Sequence, residues 1–126
     1  MNAQQMVDKI AAHMVAQGQP SFDPEKQKCM YRFGDLRCAA GWLLLDEEYQ
    51  EDFEGEPVTK FKVRMALARS GVPQLLIHLL REVQRAHDST VSVPPEEFVA
   101  TFADQLQSLC DDHNLLLPAI LQGQSA

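Results

Sequence analysis

One cysteine, one histidine and one aspartate of this chain are of the types that build a nucleophilic site. Cys38 precedes a short apolar segment that predicts a helix, and the N-terminal end of a helix lowers the pKa of a thiol. His87 continues the apolar stripe of a predicted helix, and Asp88 follows it directly. A histidine that a carboxylate orients can act as the base for a thiol nucleophile, so these three residues form one hypothesis for a catalytic site.

The alternative for the same residues is structural. Free cysteines are usually buried as small hydrophobic residues, and no known catalytic signature surrounds Cys38. His87 lies where a helix is predicted to end, and a histidine there can bond a backbone carbonyl or a carboxylate. This alternative is favoured for both residues.

A metal centre is not predicted. Cys110 and His113 are three residues apart and share a helix face, but no Cys-x-x-Cys pair and no second closely spaced pair accompany them. Cys29 and Cys38 would complete a ligand set only if the fold brought them close. The chain also contains no glycine-rich phosphate loop, no Gly-x-Ser-x-Gly and no His-Glu-x-x-His, so no cofactor is predicted.

An acidic run is the best candidate for partner binding. Seven of the eleven residues from 46 to 56 are Asp or Glu, and a basic stripe of Lys60, Lys62 and Arg64 follows. Such a run is usually a solvated face, and here the basic stripe is a possible internal counterpart. As a docking surface it would suit a partner with a basic surface. The residues assigned to it are Asp46, Glu47, Glu48, Glu51, Asp52 and Glu54.

Charge and composition exclude several classes of function. The formal net charge of −7 opposes non-specific binding to nucleic acid and to anionic lipid. No apolar run approaches the length of about 20 residues that a membrane span needs, and the first residues do not resemble a signal peptide. An odd number of cysteines, three, indicates free thiols. These observations predict a cytoplasmic protein.

Hydrophobic periodicity predicts a mainly α fold: a bundle of about four main helices with a small β-hairpin inserted after the first. The hairpin is predicted around Gly34-Asp35, and a polar, proline-containing loop is predicted from Gln19 to Lys28. We expect one domain over residues 1–126, with residues 1–2 and 122–126 frayed. The predicted helices are 3–17, 58–70, from Pro73 to His87, and from about Pro94 to His113.

Three further expectations concern packing. The second helix is expected to bury Val58, Phe61, Met65 and Ala68 on one face. A short buried helix is expected from Ala39 to Leu45, in which Gly41 lets another backbone approach closely. The apolar tail from Leu115 to Leu121 is expected to pack back on the core.

The region from Cys29 to Asp88 carries a set of short motifs: Tyr31-Arg32, Cys38-Ala39-Ala40-Gly41-Trp42-Leu43, Asp46-Glu47, Tyr49, Glu54-Gly55, Leu80, Val83-Gln84 and His87-Asp88. In these motifs the chain resembles a family of small, largely uncharacterised proteins of bacteriophages and prophages. The resemblance covers about half of the chain, and Trp42 and Leu45 depart from the residues common in the family. It implies a phage or prophage accessory protein and brings no known reaction.

Three functions remain as hypotheses. The favoured one is a non-catalytic accessory protein that binds a host or phage protein and inhibits it. The second is a small, hydrolase-like enzyme whose site groups Tyr31, Arg32 and Glu54 with Cys38, His87 and Asp88. The third is a structural homodimer that uses the apolar tail as its interface.

Overall fold

The structure, a computed structural model, describes residues 1–124. These residues form four α-helices, which confirms the prediction of a mainly α fold with about four main helices and a small hairpin. Four strands of two residues each form two antiparallel hairpins. The elements are α1 (Ala3–Gln17), β1 (Phe22–Asp23), β2 (Lys28–Cys29), β3 (Arg32–Phe33), β4 (Leu36–Arg37), α2 (Phe61–Arg69), α3 (Ile77–Asp88) and α4 (Phe98–Asp112).

Helix α1 has the predicted bounds because both of its ends are capped. The side chain of Asn2 accepts a hydrogen bond from the backbone N–H of Gln5, and the Gln5 side chain accepts one from the Asn2 N–H. At the other end, Gly18 has a φ of 73° and donates its N–H to the Met14 carbonyl at 2.9 Å. The apolar face of α1 is buried in the core.

The predicted hairpin around Gly34-Asp35 is strands β3 and β4, in which Arg32 pairs with Arg37. The prediction of a loop from Gln19 to Lys28 was wrong in one respect, because this segment contains β1 and the first residue of β2. Asp23 Oδ1 accepts the N–H groups of Glu25 and Lys26 and thereby forms the turn of this first hairpin. The polar residues that suggested a loop are those of this turn.

The second helix is shorter than predicted, and its buried face was assigned wrongly. Helix α2 begins at Phe61, and its buried side chains are Val63, Ala66 and Leu67. Phe61 is 67% exposed, while Val58 is buried but lies in the turn before the helix. The sequence offers two apolar stripes on this helix, and the surrounding core selects the one with Val63 and Leu67.

The buried side chains form one connected hydrophobic cluster to which all four helices contribute. The predicted short helix after Cys38 is a 3-10 helix, Ala40–Trp42, and it is packed close to the second hairpin. The predicted packing of the tail is found, because Leu121 is fully buried next to α1. Residues 125–126, part of the predicted frayed end, lie outside the described residues. Within residues 1–124, no helix combines the length and hydropathy that crossing a bilayer requires.

Candidate functional site

The carboxylate of Glu54 connects the second hairpin, β3 and β4, to the acidic run by hydrogen bonds. Glu54 Oε1 accepts the Tyr31 N–H at 2.6 Å, and Oε2 accepts the Arg32 N–H at 3.2 Å. The Tyr49 hydroxyl also donates to Oε2, at 2.5 Å. Three hydrogen bonds to one carboxylate hold the start of strand β3 in place. The contacts of Glu54 are therefore those of a structural residue.

Tyr31 and Arg32 are held in the same way. The Tyr31 hydroxyl donates to the Glu56 carbonyl at 2.6 Å, and burial is the largest cause of the raised pKa of this phenol. The Arg32 guanidinium pairs with Asp46 at 2.8 Å, and it lies over the ring of Tyr49, 4.7 Å from the centroid. The polar residues that carry the family resemblance in this region thus bind one another.

The thiol of Cys38 is closed off from solvent. Cys38 is 1% exposed, and its Sγ accepts the N–H of Gly41 at 3.3 Å. Burial raises the pKa of this thiol far above its ordinary value, although the Gly41 N–H acts in the opposite direction. The position near a helix start, which suggested a reactive thiolate, is outweighed by burial.

His87 and Asp88 are in contact, as the catalytic hypothesis required, but His87 is engaged on both ring nitrogens. The Ser21 N–H donates to Nε2 at 3.0 Å, and Nδ1 lies 2.8 Å from Asp88 Oδ1. Because Nε2 accepts a hydrogen bond from the Ser21 N–H, the neutral ring carries its proton on Nδ1. The Nδ1–H group then donates a hydrogen bond to Asp88. Neither nitrogen is left to accept a proton from Cys38, so the structure does not assemble the proposed nucleophile and base.

Sequence reasoning missed that Cys29 adjoins this pair. One ligand-type atom from each of Cys29, His87 and Asp88 lies within 4.8 Å of the other two. Burial and the neighbouring Asp88 carboxylate raise the pKa of the Cys29 thiol to about 12. The signal that could have placed Cys29 here was strand β2 of the first hairpin. The polar residues of the preceding turn led to the prediction of a loop instead.

This cluster is not arranged for a metal ion. A metal on Nδ1 of His87 would displace its proton to Nε2, where the Ser21 N–H already points, and two donors would then face each other. The side chains of Cys110 and His113 do not form a metal site together either, because they lie in different surroundings. Cys110 is buried in the core, and His113 Nε2 lies 2.6 Å from Glu82 Oε2.

Gln84 and Asp88 form the inner wall of an open cavity of about 440 Å³. Gln84 accepts the Ala40 N–H through Oε1 and donates through Nε2 to Asp88 Oδ1 at 2.9 Å. Burial alone would raise the pKa of Asp88, but the hydrogen bonds from His87 and Gln84 lower it below its ordinary value. The full lining is Cys29, Met30, Tyr31, Cys38, Gly55, Glu56, Pro57, Val58, Arg81, Gln84, Arg85 and Asp88.

The acidic run is largely paired within the molecule. Asp46 bonds Arg32 and Arg37, Glu48 bonds Arg69 at 2.7 Å, and Asp52 bonds Lys62 at 3.1 Å. Glu54 is engaged as described above. Among the carboxylates assigned to partner binding, those without an ion pair or side-chain hydrogen bond to residues 1–124 are Glu47 and Glu51.

A second depression is mainly apolar and was not anticipated from the sequence. Its volume is about 420 Å³, and it lies between the two hairpins and the connection from α3 to α4. Phe33 and Val91 are partly exposed in it. We call it the apolar groove; its lining is Gln19, Pro20, Phe22, Pro24, Phe33, Leu36, Thr90, Val91, Val93, Pro95 and Phe98.

Four exposed carboxylates are next in sequence to residues that line the apolar groove. Glu25 follows Pro24, Asp35 precedes Leu36, and Glu96 and Glu97 lie between Pro95 and Phe98. These four residues are the acidic rim. In the part of the chain that the structure describes, none of the four forms an ion pair with a basic side chain. The rim therefore keeps its negative charge facing solvent.

Comparisons with family models, curated proteins and solved structures found no match to this chain.

Proposed function

We propose that this chain is a non-catalytic accessory protein of phage or prophage type that binds, and thereby inhibits, a host or phage protein in the bacterial cytoplasm. The observation that supports this most is the apolar groove with its unpaired acidic rim. The resemblance to phage and prophage proteins supports the choice of partner. A catalytic role for Cys38 gains no support from the contacts described above.

The occupant that fits the groove is an apolar segment of the partner with basic residues on both sides. Apolar side chains would displace water from the surface around Phe33 and Val91, which supplies affinity. Lysine or arginine beside them would lie near Glu25, Asp35, Glu96 or Glu97, which supplies orientation and a faster encounter. The acidic run 46–56 contributes less, since most of its carboxylates already have partners.

Fluorescence anisotropy with labelled peptides tests this proposal. The probe has an apolar core of leucine and phenylalanine with lysines at both ends; the comparison peptides carry glutamates at the ends, or lysines without the apolar core. We expect saturable binding of the first peptide only. Val91→Asp should abolish binding by placing a charge in the groove, and circular dichroism would confirm that this variant is folded.

Two charge variants identify the surface. Changing Glu96 and Glu97 to glutamine should weaken the lysine-flanked peptide about fivefold, since exposed ion pairs contribute little each. Changing Glu47 and Glu51 to glutamine removes the same charge from the acidic run and should leave binding unchanged. The groove is not the docking site if no peptide binds saturably, or if only the second variant weakens binding.

A further inference from the structure

The cavity that Gln84 and Asp88 line has exposed arginines at its mouth. Arg81 and Arg85 are one helical turn apart, both are exposed, and both line this cavity. Neither guanidinium forms an ion pair with a carboxylate of residues 1–124. The Lys28 ammonium lies close by, 3.9 Å from the position that a Cβ on Gly55 would occupy. Three cations thus lie at or beside one opening in a protein of net charge −7.

The inner wall of the same cavity presents an acceptor. Gln84 and His87 fix the orientation of Asp88 through hydrogen bonds to Oδ1. The side chain of Asp88 is nevertheless 44% exposed, so part of its carboxylate is open to a ligand. The cavity therefore has cations at its mouth and two carboxylates in its lining, Asp88 and Glu56, of which Glu56 lies 3.9 Å from the Lys60 ammonium.

We propose that this cavity binds a small molecule that carries an oxyanion group at one end and a cationic or N–H donor group at the other. Arg81 and Arg85 bind the oxyanion, which is a phosphate or a carboxylate, because guanidinium groups match both in geometry and charge. Asp88 accepts the donor end. The volume of about 440 Å³ is in the range of small-molecule sites.

This site is separate from the proposed docking surface, because the cavity and the apolar groove share no lining residue. The hydrogen bonds that hold Asp88 at the end of α3 also suit a binding role. Gln84 links the 3-10 helix at Ala40 to Asp88, so the acceptor is fixed before a ligand arrives. A failure of peptide binding in the groove would leave this proposal unaffected.

An NMR titration of the full chain with four probes tests the proposal. Phosphoethanolamine and γ-aminobutyrate carry both an oxyanion and an ammonium group, whereas ethyl phosphate and butyrate carry the oxyanion alone. We expect saturable shifts of backbone amides around Cys29, Gln84 and Asp88, with tighter binding of the two-ended probe of each pair. The phosphate and carboxylate arms decide between the two oxyanions.

Three single variants, each of which removes one positive charge, test the role of the arginines; two change an arginine of the cavity and the third is the control. Arg81→Gln and Arg85→Gln should each weaken binding of the better probe about tenfold, the loss expected for a hydrogen bond to a charged group. Lys9→Gln removes the same charge from an exposed position of α1 and should leave binding unchanged. Shifts that do not saturate, an equal effect of all three variants, or no preference for the two-ended probes would overturn the proposal.

Discussion

Carboxylates in this protein are used in two ways that their positions in the sequence do not distinguish. Glu54 accepts three hydrogen bonds from Tyr31, Arg32 and Tyr49 and holds a hairpin. Asp88 is also held by neighbours, but its side chain reaches a cavity. The difference lies in their surroundings, because Asp88 lines an open cavity whereas Glu54 does not.

The ionisation of Asp88 should contribute to stability in a pH-dependent way. Burial would raise the pKa of Asp88, but hydrogen bonds from His87 and Gln84 lower it below its ordinary value in the folded state. A carboxylate whose folded pKa is lowered stabilises the protein above its unfolded pKa of about 3.9, and this stabilisation is lost as the pH falls through the folded pKa. Acid should therefore weaken the fold partly through this residue.

We expect Asp88→Asn to flatten the acid dependence of stability. The measurement is the free energy of unfolding in urea between about pH 7 and about pH 3, where an ordinary aspartate is mostly protonated. The wild type should lose more stability over this interval than Asp88→Asn. Asp112→Asn, an exposed change of the same kind, serves as the control. An acid dependence in Asp88→Asn equal to that of the wild type would contradict the role of this carboxylate.

At the scale of elements, the second hairpin depends on the close approach of two backbones. A Cβ at Gly41 would lie 2.3 Å from the Tyr31 carbonyl oxygen and 3.2 Å from the Arg37 Cβ. The 3-10 helix Ala40–Trp42 can therefore touch the hairpin only with glycine at this position. This contact also holds Gly41 where its N–H donates to the Cys38 thiol.

Gly41→Ala should destabilise the protein by about 3 kcal/mol or more, because backbone must move to admit the methyl group. The free energy of unfolding by urea measures this. Gly18→Ala is the matched control: it has open space but a positive φ, and it should cost about 1 kcal/mol. Equal costs for the two changes would mean that the close approach is not required.

The sequence predicted those elements whose caps and periodicity are local. Helix α1 matched because Asn2 and Gly18 mark its ends, and the predicted apolar stripe of α3 is buried from Leu79 to His87, although its first member, Leu76, lies before the helix. The face of α2 did not match, since its two possible stripes can be told apart only by what packs on them. Local sequence gives no information about which of two stripes the core selects.

The candidate site was predictable in part. The pairing of His87 with Asp88 follows from their adjacency in the sequence, but the Ser21 N–H on Nε2 comes from a residue 66 positions away. Cys29 and Arg81 reach the same cavity from different elements. Such long-range contacts depend on the packing of hairpins on helices, and no spacing in the sequence encodes them.

At the scale of the whole molecule, net charge and charge distribution lead to different conclusions. The net charge is −7, yet much of the acidic run is paired, and the remaining charge includes the rim of the apolar groove. Two arginines without an ion pair among residues 1–124, Arg81 and Arg85, line the cavity beside α3 in the same molecule. A partner or ligand therefore meets local fields that the net charge alone does not describe.

Oligomeric state belongs to this scale, and we expect a monomer. In the tail, Leu121 is fully buried, and Leu115 and Leu117 pack against the core, so the apolar side chains left for an interface are Leu116, 76% exposed, and Ile120, 45% exposed. Two copies of net charge −7 would also repel each other at low salt. Light scattering should give a mass near 14.2 kDa at every concentration, in low and in high salt. A mass that rises towards twice this value with concentration, and returns on changing Leu116 to serine, would instead support the homodimer through the tail.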